Sequence, residues 1–232
     1  MEYTMTENTL FPLVEVTLRN GEMIQLERGA MVYHNGQVNL EGKMNSNGQS
    51  GIGGAIRALG RSMSSGESFF ITQATGLTDG ARIALAPGTP GAIRELQVGM
   101  EHWRLNDGAF LACDSTVSYQ MKRQKVSTAF FGGTGGFFVM ETAGKGTLLV
   151  NAYGDIVELE LDGSQPFVID NQHVVAWTES LDYNIKVASG LFGFTTGEGL
   201  VNEFHGRGTV LIQTRNVEAL AGMVAPFIAT GK

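Results

Sequence analysis

Three stretches of this chain open on one pattern. Leu13–Leu18 reads Leu-Val-Glu-Val-Thr-Leu, Ile93–Val98 reads Ile-Arg-Glu-Leu-Gln-Val, and Ile156–Leu161 reads Ile-Val-Glu-Leu-Glu-Leu. Apolar residues alternate around a shared glutamate, which is the period of a half-buried strand. A glycine turn follows each, at Gly21, Gly99 and Gly163, and then a second matched run: Gly29–Tyr33, Gly108–Ala112 and Gln172–Ala176. Later blocks keep the order. Phe69–Thr72, Phe137–Met140 and Leu200–Glu203 correspond, and Gly144–Leu149 lies against Gly206–Leu211, with Thr78–Ile83 as a looser counterpart. Self-similarity of this kind constrains a fold more than composition does. It predicts an all-β protein of three diverged strand-rich repeats, over residues 11–88, 91–153 and 154–216. A unit of about 65 residues buries little by itself. The three are therefore expected to pack as one compact β-sandwich or double-stranded β-helix-like body spanning 11–216.

Two segments depart from the repeat. The first copy carries extra residues near Asn47–Ser65, where Ile52, Ile56, Leu59 and Met63 fall on one face of a helix. The tail, 217–232, places Val217, Leu220, Met223, Val224 and Phe227 on a second stripe, with Asn216 as N-cap and Pro226 ending or kinking the helix. A short inserted helix and a C-terminal helix are expected. Either they cap open sheet edges, or they carry contacts to a second subunit or another protein. These apolar residues are the candidate interaction surface.

Composition narrows the function. The 32 glycines among β-branched and aromatic residues suit many tight turns. A formal charge of −7 argues against a partner met through its phosphates, whether nucleic acid or an anionic membrane. Cys113 is the only cysteine, so no intrachain disulfide can form. No apolar run is long enough to cross a membrane as a helix, and the first residues resemble neither a secretory signal nor a transit peptide. A cytoplasmic protein is expected.

The order GAMVYHNG, SGESFF, GSQPFVIDNQHVVAW and GEGLVNEFHGRGTVLIQTR resembles a widespread family. It is the one named for a mitochondrial biogenesis protein of the altered-inheritance-of-mitochondria series, grouped with the fold of the tryptophan RNA-binding attenuation protein. The resemblance covers about residues 11–216. It implies a β-sandwich or double-stranded β-helix and a tendency to assemble, and little chemistry. Likeness to an RNA-binding fold does not license RNA binding.

Candidate chemical sites each have a plainer reading. The run Gly132–Gly136 could cradle a phosphate, but the matching positions elsewhere carry Glu67 and Glu198, and no Lys-Ser or Lys-Thr follows. It reads as a turn. His34, His102, His173 and His205 lack metal-site spacing, and His173 reads as a hydrogen-bonded core residue within an apolar strand. Cys113 would need His102 beside it to act as a nucleophile. Glu15, Glu95 and Glu158 could ring a cation but read as the solvent side of their strands. Lys122–Lys125 has no interleaved aromatic residues for stacking on bases. No catalytic residue, metal or cofactor is assigned. The expected function is a self-associating, non-enzymatic scaffold or protein-interaction protein, a homo-oligomer or the partner of another protein. The alternative is a small-molecule-binding β module with its pocket where the units meet.

Overall fold

The computed structural model describes residues 1–7, 9–44, 70–124, 138–188 and 199–228. A short strand β1 (Glu2–Met5) precedes three sets of six. The first set is β2 (Val14–Leu18), β3 (Met23–Glu27), β4 (Met31–His34), β5 (Val38–Met44), β6 (Phe70–Gly76) and β7 (Ala81–Leu85). The second is β8 (Ile93–Val98), β9 (Trp103–Leu105), β10 (Phe110–Asp114), β11 (Val117–Arg123), β12 (Phe138–Gly144) and β13 (Gly146–Asn151). The third is β14 (Ile156–Asp162), β15 (Phe167–Asp170), β16 (Val174–Thr178), β17 (Asp182–Val187), β18 (Leu200–His205) and β19 (Arg207–Gln213). Helix α1 (Val217–Val224) and a 3-10 turn over Ala225–Phe227 close the described chain.

One pairing scheme runs through all three sets. The sixth strand lies between the first and third: β7 between β2 and β4, β13 between β8 and β10, β19 between β14 and β16. The fifth lies between the fourth and second: β6 between β5 and β3, β12 between β11 and β9, β18 between β17 and β15. Each third strand slips register at the same place, between Met31 and Tyr33, Phe110 and Ala112, and Val174 and Ala176. A bulge of this kind bends the strand and raises its twist. Among the described residues all these strand pairs are antiparallel and no sheet closes into a barrel.

Neighbouring sets share sheets. The second strand of one pairs with the third strand of the next: β3 with β10 through Ala112↔Leu26, and β9 with β16 through Ala176↔Leu105. This converts half-sheets into two continuous six-stranded sheets, flanked by a four-stranded and a three-stranded one. The cores are shared likewise. The core around Val14, Ile24 and Ile83 also takes in Leu111 and Leu149 from the second set. The core around Leu105, Phe110 and Leu148 takes in Val175 and Leu211 from the third. Trp177, Leu181 and Phe204 anchor the last.

The structure corrects several expectations. Pairing aligns Ile83 with Leu148, not with Leu149, because the first set enters its sixth strand through a longer turn between Gly76 and Ala81. Pairing likewise aligns Met140 with Asn202, not with Glu203. Asn202 is fully buried where an apolar residue stands in the second set, so matching by apolar pattern passes over it. Gly144-Lys145-Gly146 forms the corner where β12 turns into β13. His173 sits in a 3-10 turn (Asn171–His173) before β16, not within the strand. Nothing in the repeat pattern marks β1. The expected inserted helix with Ile52, Ile56, Leu59 and Met63 lies outside the described residues, as do Gly132–Gly136, Glu67, Glu198, Lys125 and the end of the tail, 229–232.

Candidate functional site

The first and fourth strands of every set stand at the outer ends of its pairing scheme, with β1 added beyond β2, so those margins belong to the fold. Two other edges arise only because the series stops. Among the described residues, β4 is a third strand with no second strand beside it, and β15 is a second strand with no third strand beside it. Their exposure follows. Val32 is 51% exposed, whereas its counterparts Leu111 and Val175 are buried. Val168 is 55% exposed and Phe167 40%, whereas Ile24 and Trp103, the counterparts of Phe167, are buried. Apolar edges of this kind template further pairing.

The internal junctions show what such an edge holds when it is filled. At the first, Gln25 Nε2 donates to the Val117 carbonyl at 3.3 Å. At the second, the Arg104 guanidinium donates to the Glu179 and Leu181 carbonyls, both at 3.0 Å, while its Nε meets Glu141 at 3.1 Å. Asn106 Nδ2 donates to the Asn171 and Val174 carbonyls at 2.8 and 3.1 Å. Glu27 occupies the place of Asn106 at the first junction. Burial, with the Asp107 carboxylate beside it, pushes its carboxyl up to about 7. The cavity there, lined by Glu27, Asp107, Phe110 and Met140 among others, measures about 50 Å³. That is room for a water or two (about 30 Å³ each) and too little for a metabolite.

The candidate interaction residues on the tail are placed clearly. Asn216 caps α1, accepting from Ala219 N at 2.7 Å. Its Nδ2 donates to His173 Nε2 at 3.0 Å, and His173 Nδ1 donates to the Gln213 carbonyl at 2.7 Å. Gln172 donates to Glu218. α1 ends at Val224, and Pro226 lies in the 3-10 turn that follows, together with Phe227. None of α1's residues is buried.

The remaining candidates are dispersed. Cys113 is fully buried on β10, and burial with Asp114 nearby pushes its thiol up to about 12, the reverse of what a nucleophile needs. His102 precedes β9 in the neighbouring sheet, and its buried Nδ1 has no hydrogen-bond partner among the described residues. Glu15 accepts from Tyr33 and faces Arg82, Glu95 accepts from Tyr3, and Glu158 meets Arg94 at 2.9 Å. The three glutamates are thus engaged separately. Among the described residues no group of three or more His, Cys, Asp or Glu could hold a metal ion. Lys122 pairs with Glu141.

Residues 3–215 match the model of the family described as mitochondrial biogenesis AIM24. The chain belongs to that family. An uncharacterised protein of Streptococcus pyogenes serotype M6 is 48% identical over 231 residues, covering 99% of this chain and 92% of that protein. A crystal structure of a Streptococcus pyogenes protein superposes with a TM-score of 0.81 at 45% identity, covering 98% of this chain and 99% of that one. Among the described residues no helix is long and apolar enough to cross a membrane.

Proposed function

We propose that this AIM24-family chain is a non-enzymatic scaffold that self-associates head to tail, β15 of one copy pairing with β4 of the next. The observation that carries it is the pair of edges left where the sheet-sharing series stops. Transferring the register of the two internal junctions sets Ile169 opposite Tyr33, Val168 opposite His34 and Phe167 opposite Asn35. The same transfer brings Asp170, which stands where Glu27 and Asn106 stand, toward Arg28, which stands where Asp107 and Asn171 stand. Opposite charges therefore meet at the new junction, where two carboxylates meet at the first. Such an interface is heterologous, and it closes into a ring or runs on as a filament. Kinship with the attenuation-protein fold and a cytoplasmic location are part of this proposal; RNA binding is not.

Size-exclusion chromatography with light scattering tests it. The wild-type chain is expected to assemble with rising concentration, and Phe167→Lys or Val32→Lys, at positions whose counterparts are buried in the internal junctions, to be monomeric, folded and otherwise unchanged. A wild-type chain that stays monomeric at high concentration sinks the proposal.

A further inference from the structure

Helix α1 and the turn after it present Val217, Leu220, Met223, Val224, Phe227 and Ile228 to solvent, Phe227 at 85% exposure. Glu218 is the helix's only charged residue. A helix apolar on nearly every side belongs inside something. Its root is nevertheless fixed by the Asn216 cap and by the contacts to Gln172 and His173, so its surroundings in an assembly can be worked out.

The starts of the sets stack beside one another. Ala92 N donates to the Gly154 carbonyl at 2.8 Å, and Gly154 N to the Pro90 carbonyl at 2.9 Å. Thr214 N donates to the Asp155 carbonyl at 3.0 Å, and Arg215 N to the Tyr153 carbonyl at 3.2 Å. The start of the second set thus lies beside the start of the third, and that lies beside the end of the third, where α1 begins. A copy seated on β15 puts its own first set in the fourth place. Thr214–Arg215 stand against 153–155 as 152–154 stand against 90–92, so the start of that copy, Leu10–Leu13, comes to the place where Thr214–Asn216 of the preceding copy lead into α1. In the single chain this segment is itself uncovered: Leu10 is 81% exposed and Phe11 63%. It walls two apolar grooves of about 380 and 410 Å³, completed by Pro87 and Pro90 in one and Met5 and Ile93 in the other.

We infer that α1 of each copy packs into the groove beside Leu10–Pro12 of the next copy. The inference rests on the head-to-tail reading, since that reading sets which copy supplies the groove. An eight-residue helix spans about 12 Å, enough to lie along a groove of this size. Two apolar surfaces, each uncovered among the described residues of the single chain, close on one another.

The test is mixed-copy cross-linking of the full chain. Copies carrying Leu220→Cys are mixed with copies carrying Phe11→Cys and oxidised; Cys113 is too buried to interfere. A disulfide-linked pair is expected from the mixture, with none when Leu220→Cys copies meet Glu41→Cys copies. In parallel, Leu220→Asp with Met223→Asp is expected to weaken assembly by about 100-fold, two apolar contacts at about tenfold each. If the wild-type chain assembles and the Leu220–Phe11 pair does not cross-link, the helix inference is overturned while head-to-tail pairing stands. Cross-linking of Leu220→Cys copies to one another overturns it as well. A wild-type monomer removes both.

Discussion

Replacing Glu27 by Gln should make the protein more stable above neutral pH and flatten its pH dependence. The Glu27 carboxyl stands at about 7 in the folded chain, against an ordinary 4.5, because it is half-buried and faces Asp107. Between those values the folded state holds a proton that the unfolded state has released. Stability therefore falls as pH rises from about 4.5 to 7, and the penalty is complete above 7. Converted directly, the displacement amounts to about 3 kcal/mol. Glu27 keeps partial contact with solvent, which screens the charge, so the realised penalty is on the order of 1 kcal/mol. Glutamine keeps the shape and removes the ionisation. Urea denaturation at a series of pH values from about 5 to 8 measures the difference. Glu27→Gln should match the wild type near the acid end and exceed it by on the order of 1 kcal/mol at the alkaline end. Parallel wild-type and variant curves across that range would refute the reasoning.

Two further substitutions test the packing. Trp177 is fully buried, with the Tyr183 and Phe204 rings edge-on at 4.8 and 5.6 Å, so Trp177→Ala should cost about 3–5 kcal/mol in urea denaturation. Trp177→Phe should cost much less, because the buried indole N–H it removes has no acceptor among the described residues. At Gly91 a Cβ would collide with the Ala152 and Gly154 carbonyl oxygens, so Gly91→Ala should lower stability by about 1–3 kcal/mol. Gly88→Ala in the same linker meets nothing within 4 Å and should be close to neutral, and thermal melts of the two side by side decide it.

The strands are legible in the sequence where period-two alternation is strong. Val14–Leu18 and its counterparts read as strands with their shared glutamate outward, because alternation encodes one buried face directly. Registers are legible only to within a residue. A bulge in each third strand and a longer turn before Ala81 shift the count without altering composition. β1 escapes notice although Tyr3 and Met5 alternate with polar neighbours, since four residues give a weak signal. The C-terminal helix is legible from its stripe and from the Asn216 cap, both of them local features. The open edges of β4 and β15 are not. Met31-Val32-Tyr33 resembles Phe110-Leu111-Ala112 in pattern, and only the pairing shows that one lacks the neighbour the other has. Glu27 is invisible for the same reason: Asp107 reaches it from the next set.

The sharing of strands between sets bears on how the chain opens. The middle set is clasped on both sides, β10 by β3 and β9 by β16, while each outer set is clasped on one. Amide hydrogens should therefore exchange in a gradient, slowest around Leu105 and Leu148 and faster toward β4 and β15. If copies pair at those two ends as proposed, the outer sets become clasped on both sides and the gradient should level out.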